Sequence, residues 1–270
     1  MKIGIYSLGL IGGSLLKVLS NKGYELYAVT RNQQTIEAAK TYTNNVSSDI
    51  NTLKQCEVVF VCSPMSKAIA VLDELEGVVS NNTIVADVCS LKEFVMKKPR
   101  PYVFIGSHPM AGTENSGFDA SFEELFAGAK WVLTPSEKVS QADIEKLVNI
   151  IETTGAKTII SNPKEHDKAV ALISHMPMLV AQALVKTAMP DSLAVKLASS
   201  GFRDTTRLAL SNTDMAADMI ELNKDNIKET LRSLVDNAGD LLDGDYCDSV
   251  KYIKNFRLAM YNVDGKNISN

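Results

Sequence analysis

Short apolar runs and amphipathic stretches alternate along the chain from Lys2 to Ile160. Strands are expected at Lys2–Tyr6, Glu25–Val29, Val58–Val61, Thr83–Ala86, Tyr102–Ile105, Trp131–Thr134 and Lys157–Ile160. Helical patterns lie between them, at Gly9–Asn21, Gln33–Thr41, Ser66–Leu75, Leu91–Lys97 and Gln141–Thr153. Val58-Val59-Phe60-Val61 is apolar at every position, which suits a strand covered on both faces. The alternation predicts an α/β fold with a mainly parallel sheet between two helical layers.

After Ser161 the pattern changes, and no run from Asn162 to Asn270 reads as a strand. Asn162-Pro163-Lys164-Glu165 looks like a helix start with proline in the first turn. Ala169–Ala188 is apolar on nearly every face, as in a helix buried in a core or a subunit interface. Further helical patterns cover Leu193–Ala198, Asp214–Leu242 and Asp248–Met260. The expected division is an α/β domain over 1–161 and an all-helical domain over 162–270.

Composition narrows the function classes. With 45% hydrophobic and 22% charged residues, the chain has ordinary globular usage. A net charge of −4 offers no basic surface for nucleic acid. No uninterrupted apolar run reaches the roughly 18 residues of a membrane span. The first strand begins at Lys2 and leaves no room for a signal peptide, so the expected location is cytoplasmic. Cys56, Cys62, Cys89 and Cys247 lack metal-ligand spacing and are expected as reduced thiols, with no metal site.

Ile3-Gly4-Ile5-Tyr6-Ser7-Leu8-Gly9-Leu10-Ile11-Gly12-Gly13 is a strand, a tight turn and a helix start. It follows G-x-G-x-x-G, with Ser7 in place of the first glycine. In this position the motif predicts a Rossmann-type dinucleotide-binding domain. Gly9 lets the backbone approach a pyrophosphate, Gly12 lets helix and strand pack, and the amides from Leu10 and Ile11 onward face the phosphates. Ser7 strains the turn if its backbone must be left-handed. The second strand ends in Thr30-Arg31-Asn32 with no acidic residue to bind ribose hydroxyls. Arg31 suits a 2′-phosphate, and Thr30 and Asn32 can donate to it, which favours NADP over NAD. The other reading of Arg31 is a solvated turn. Ser63, just past the third strand, joins the expected cofactor-binding set.

Gly106-Ser107-His108-Pro109-Met110-Ala111-Gly112-Thr113 places a histidine just past the expected end of the Tyr102–Ile105 strand. Gly106 and Gly112 leave room for close backbone approach. His108 is the best placed of three histidines to move a proton near neutral pH. Ser90, in Asp87-Val88-Cys89-Ser90-Leu91-Lys92, stands at a strand-to-helix turn as a hydroxyl directed at substrate or cofactor, or as a plain cap. Arg203, in Ser199–Arg207, offers a planar fork to a carboxylate, or pairs with Asp204.

These segments together resemble the prephenate and arogenate dehydrogenases of tyrosine biosynthesis. The matching stretches are the opening turn, DVCSLK (87–92), GSHPMAGTENSG (106–117), ISHMP (173–177) and SSGFRDTTR (199–207). The resemblance implies oxidative decarboxylation of a cyclohexadienol. His108 corresponds to the catalytic histidine, Ser90 to the serine assisting at the same hydroxyl, and Arg203 to the carboxylate-binding arginine. It also implies a site-lining role for His175, with Thr113 and Glu114 close enough to line the pocket. His166 is the weaker candidate, nine residues earlier on no obviously shared face.

Members that favour prephenate often read SHLPH, and this chain has Met178 where the second histidine would stand. Together with NADP use, this resembles the arogenate enzymes of a cyanobacterial-like subgroup. Arogenate is the expected substrate and prephenate the alternative. Other NADP-dependent hydroxyacid dehydrogenases use a lysine whose surrounding motif is absent around Lys168, Lys186 and Lys196. A non-turnover cofactor-binding protein fits less well with Ser90, His108 and Arg203 all present. The family also implies a homodimer formed through the helical domain.

Overall fold

The computed structural model describes residues 1–113 and 115–262. At its centre is an eight-stranded sheet of order β3-β2-β1-β4-β5-β6-β7-β8. The strands are β1 (Lys2–Tyr6), β2 (Glu25–Val29), β3 (Asn45–Ser47), β4 (Val58–Val61), β5 (Ile84–Asp87), β6 (Val103–Pro109), β7 (Lys130–Pro135) and β8 (Lys157–Ile160). Neighbours run parallel except β6 and β7, which are antiparallel.

Side chains alternate across this sheet and build two cores. Ile3, Ile5, Val58 and Phe60 face one side, and Tyr6, Val59 and Val61 the other. The first side is covered by α1 (Leu10–Ser20), through Leu15, Leu16 and Leu19, and by α5 (Gln141–Glu152), through Leu147, Ile150 and Ile151. The second is covered by α3 (Met65–Leu75), through Ala68, Leu72 and Leu75. Each of these leucines and isoleucines, once fully buried, contributes about 1.5–3 kcal/mol relative to exposure. Two short helices, α2 (Gln33–Ala39) and α4 (Glu93–Met96), complete this half.

The remaining elements are helical: α6 (Pro163–Val170), a π turn at Ala171–His175, α7 (Met176–Ala188), α8 (Ser192–Leu197), α9 (Ser200–Thr205), α10 (Thr213–Leu222), α11 (Lys224–Asp243) and α12 (Tyr246–Asn262). Val170, Met178, Ala216 and Met219 carry the second core into this half.

Several elements depart from the sequence expectation. Strand β3 is polar and only three residues long, so it lacks an apolar signal. Strand β6 continues through His108 to Pro109, so His108 lies inside the strand. The antiparallel ladder with β7, where His108 faces Val132 and Pro109 faces Trp131, extends it beyond its last partner on β5, Ala86 opposite Ile105. The Asp214–Leu242 pattern is two helices broken at Asn223, whose backbone leaves helical geometry and whose side chain turns inward. The apolar Ala169–Ala188 stretch leaves Leu172, Ile173 and Leu184 exposed.

The continuous helix Pro163–Ala188 is long and apolar enough, by length and composition, to cross a membrane. The expectation of no such segment counted consecutive apolar residues, which Ser174, His175 and Gln182 interrupt; the average does not. Met176, Met178 and Ala181 of this helix are buried within the protein.

Candidate active site

Ser7 follows β1, Thr30–Asn32 follow β2, Ser63 follows β4, Ser90 follows β5, and His108 lies near the end of β6. Because these strands are parallel, all of these residues gather along one edge of the sheet, where open α/β sheets bind ligands.

The first turn leads into α1 with its backbone amides open. Ser7 has φ +73°, the one non-glycine residue with positive φ among the described residues. Its N–H donates to Val29 O at 2.8 Å. A Cβ at Gly9 would meet nothing within 4 Å, whereas one at Gly12 would stand 2.0 Å from Ser7 O. Gly9 caps α1 without a side-chain hydrogen bond, so the leading amides, from Leu10 and Ile11 onward, have no intrahelical acceptor. Such a terminus attracts anions.

A groove of about 470 Å³ opens beside this turn, lined by Ser7, Thr30, Arg31, Asn32, Ser63 and Lys67 among others. Ser63 is 8% exposed, and its buried hydroxyl has no hydrogen-bond partner among the described residues. A buried hydroxyl left so calls for an acceptor or donor from a ligand. Asn32 Oδ1 caps α2 by accepting from Thr35 N at 3.0 Å, which leaves its amide donor for other partners. Arg31 and Lys67 form no ion pair among the described residues, and Glu74 is the carboxylate on the same groove. These residues fit a dinucleotide. The sequence reading did not include Lys67; its one signal is a position in the first turn of a helix that starts beside Ser63.

Beneath the β5 and β6 ends is a buried ionic network. Lys92 and Asp87 are both fully buried and paired. Lys92 Nζ also donates to Ser107 O at 2.6 Å, and Ser107 N donates to Asp87 Oδ1 at 3.1 Å. Trp131 Nε1 donates to Ser107 Oγ at 3.1 Å. The network ties the β5 and β6 ends together one residue before His108. Ser90 is partly exposed, and its hydroxyl makes no hydrogen bond among the described residues. Lys92, not Ser90, occupies the cap position of α4, so the plain-cap reading does not hold. Gly106 is crowded, with a Cβ there 2.4 Å from Thr134 Oγ1, whereas a Cβ at Gly112 would meet nothing within 4 Å.

His108 is partly exposed, and its Nδ1 lies 3.0 Å from His166 Nε2. The rings meet edge to face, with centroids 5.2 Å apart. Burial, and after it the neighbouring His166, Lys92 and His175, hold the His108 pKa well below its ordinary 6.5. The imidazole is therefore a neutral acceptor near neutral pH. His166 in turn lies 2.7 Å from Asp167. The sequence carries little signal for this contact, because the partner of His166 is 58 residues away on the sheet rather than on its own helix.

His175 is 1% exposed. Asn223 Nδ2 donates to Asp167 O at 2.8 Å and faces His175 Nδ1 at 3.1 Å, which puts the His175 proton on Nε2. Burial pushes its pKa down to about 4. Asn223 had no sequence signal, because the Asp214–Leu242 pattern reads as uninterrupted helix. Thr113 is exposed, its Oγ1 accepting from Asn115 N at 3.2 Å, and Glu114 lies outside the described residues. Arg203 sits on α9 with its side chain 77% exposed, 3.2 Å from Asp204. It makes no bond to the His108 cluster among the described residues, so within one chain the pairing alternative holds. The cysteines are free, and no cluster of metal-ligating side chains occurs among the described residues.

Two family descriptions match the chain. Residues 16–160 match the prephenate dehydrogenase nucleotide-binding domain and residues 162–242 the prephenate dehydrogenase dimerization domain. Prephenate dehydrogenase of Bacillus subtilis is 33% identical over 235 residues, covering 82% of this chain but 63% of its own length. The crystal structure of Synechocystis arogenate dehydrogenase superposes with a TM-score of 0.81 at 33% identity, covering 97% of each chain. Prephenate dehydrogenase of Aquifex aeolicus, solved with hydroxyphenyl propionate and NAD+, superposes at 0.83 with 27% identity, covering 98% of each.

Proposed function

Because the chain belongs to the prephenate dehydrogenase family, we propose that it oxidatively decarboxylates arogenate to tyrosine with NADP. The observation that carries this reading is the neutral His108 imidazole at the end of β6, on the same edge of the sheet as the dinucleotide cradle. NADP, when bound, supplies the acceptor for the hydride that leaves the ring carbon bearing the hydroxyl. His108 takes up the hydroxyl proton as that charge develops. The bond to the ring carboxylate then breaks, its electron pair enters the ring, and carbon dioxide leaves. The phenol oxygen takes the proton back, so none is consumed. Aromatisation drives the step, and the protein's task is orientation.

Ser90, with its hydroxyl unengaged, donates to the same ring oxygen. Arg203 grips a substrate carboxylate, and Thr113 and the buried His175 complete the proposed substrate-binding set. Arogenate is favoured over prephenate because Met178, 4% exposed, brings an apolar thioether where a prephenate-selective member carries a histidine. NADP is favoured because Arg31 and Lys67 flank a groove whose β2 end has no acidic residue.

A homodimer through the helical domain accords with the single chain's surface. Helices α8 and α9 bury no residue, and Leu193, Leu197 and Leu210 are 62%, 70% and 80% exposed. A second copy on this face would also bury Arg203. The proposed setting is the cytoplasm, without membrane or nucleic-acid partners.

The test is initial-rate assay with arogenate and prephenate, each with NADP and NAD. Arogenate with NADP should give the highest kcat/KM. Prephenate with NAD leading would establish the alternative, and no turnover with either ring substrate would reject the assignment.

A further inference from the structure

Three N–H groups converge on Asp167. His166 Nδ1 is 2.7 Å from Oδ1, Lys92 N donates to Oδ1 at 2.8 Å, and Glu93 N donates to Oδ2 at 2.9 Å. The last two are the leading amides of α4, so Asp167 also caps that helix from across the fold. A carboxylate receiving three donors is an acceptor only. It therefore fixes the His166 proton on Nδ1 and leaves His166 Nε2 as a lone pair.

That lone pair faces His108 Nδ1 at 3.0 Å. Two ring nitrogens at this distance share one proton. Since neutral His166 carries its own on Nδ1, the shared proton belongs to His108. Its Nε2 is then the bare nitrogen.

We propose that His166 and Asp167 are positioning residues that lock His108 in the Nδ1–H tautomer, so that Nε2 is free to take the ring-hydroxyl proton. The chain runs Asp167 carboxylate, His166 Nδ1–H, His166 Nε2, His108 Nδ1–H, His108 Nε2. When Nε2 gains a proton, the imidazolium donates through neutral His166 toward an anion, which lowers the cost of the charge without moving a second proton. The rigid part is the sheet: β6 fixes His108, while Asp167 pins α6 to the start of α4. His175 is outside this chain, its Nδ1 engaged by Asn223. The proposal rests on the reading of His108 as the base.

The experiment combines ring-nitrogen NMR with an amide substitution. The chain's three histidines make the long-range nitrogen–proton spectrum assignable with single-histidine variants. The wild-type protein should show His108 protonated on Nδ1 and His175 on Nε2 at neutral pH. Asp167→Asn removes the charge that holds the His166 proton on Nδ1 and sets an amide donor among the remaining N–H groups, so the His108 proton no longer stays on Nδ1 alone. Its kcat should fall about 10²–10⁴-fold, the span that general-base catalysis supplies, with KM changed by only a few-fold. A role limited to capping α4 would lower the unfolding midpoint and leave the tautomer alone. Wild-type His108 protonated on Nε2, a His166 imidazolium at neutral pH, or a folded Asp167→Asn with kcat within twofold of wild type would overturn the proposal. If Asp167→Asn does not fold, the wild-type spectrum decides by itself. If no ring substrate turns over, the functional reading fails, while the tautomer pattern is still decided by that spectrum.

Discussion

Ser7 O stands directly over Gly12, 2.0 Å from where a Cβ would be. Ser7 itself adopts φ +73°, a region that costs an L-residue about 1–2 kcal/mol. The two positions therefore respond oppositely to substitution. Ser7→Gly relieves strain at some entropic cost, so stability should stay level or rise by about 1 kcal/mol, with NADP affinity retained. Gly12→Ala forces the turn away from α1 and should weaken NADP binding at least tenfold. Urea unfolding and fluorescence titration with NADPH read both outcomes.

The groove after β2 makes a second prediction. Arg31 and Lys67 approach it from different elements, and neither is paired with a carboxylate among the described residues. A hydrogen bond to a charged group contributes about 1.5–3 kcal/mol. Arg31→Ala should therefore raise the KM for NADP by roughly 10–100-fold and leave that for NAD within about threefold. Lys67→Ala should move it in the same direction. Equal effects on the two cofactors would remove both residues from 2′-phosphate recognition.

The turn between β1 and α1 and the parallel sheet were legible in the sequence because their signals are local. Glycine spacing and unbroken apolar runs act within a few residues. His166 was legible only as a weaker candidate, and Asp167 and Asn223 not at all, because each meets a partner on another element. His166 meets His108 across 58 residues, and Asn223 meets His175 across 48. The true extent of β6 was hidden for the same reason, since only its antiparallel partner carries it on to Pro109. Arg203 marks the opposite limit: its motif was plain, yet a single chain leaves it in solvent beside Asp204.

Histidine burial sets the pH response. A depressed pKa keeps His108 neutral, so the proposed base remains competent as pH falls through 6.5 and is lost only well below it. The acid limb of kcat/KM should therefore lie below that of an ordinary histidine, provided substrate ionisation is accounted for. Stability follows the same sign. His175, lowered to about 4, stays neutral in the folded protein while the unfolded chain takes up a proton near 6.5. Its stabilising contribution is complete above pH 6.5 and lost progressively down to about 4. Urea midpoints should fall between pH 7.5 and 5, and His175→Gln should flatten that slope.

The exposed arginine makes the last prediction. Arg203 cannot hold a substrate carboxylate firmly from a helix that buries none of its own residues. Seating a second copy on α8, α9 and the turn Arg207–Leu210 would cover Leu193, Leu197 and Leu210 and hold α9 in place. Burying three leucines from each protomer is worth several kcal/mol at about 25 cal/mol per Å². Light scattering should then report a dimer, and Leu197→Glu should yield a monomer with raised substrate KM but unchanged NADP affinity. Arg203→Ala should reproduce the KM defect in a protein that remains dimeric. A fully active monomer would separate the apolar face from catalysis and leave Arg203 to be explained by its pairing with Asp204 alone.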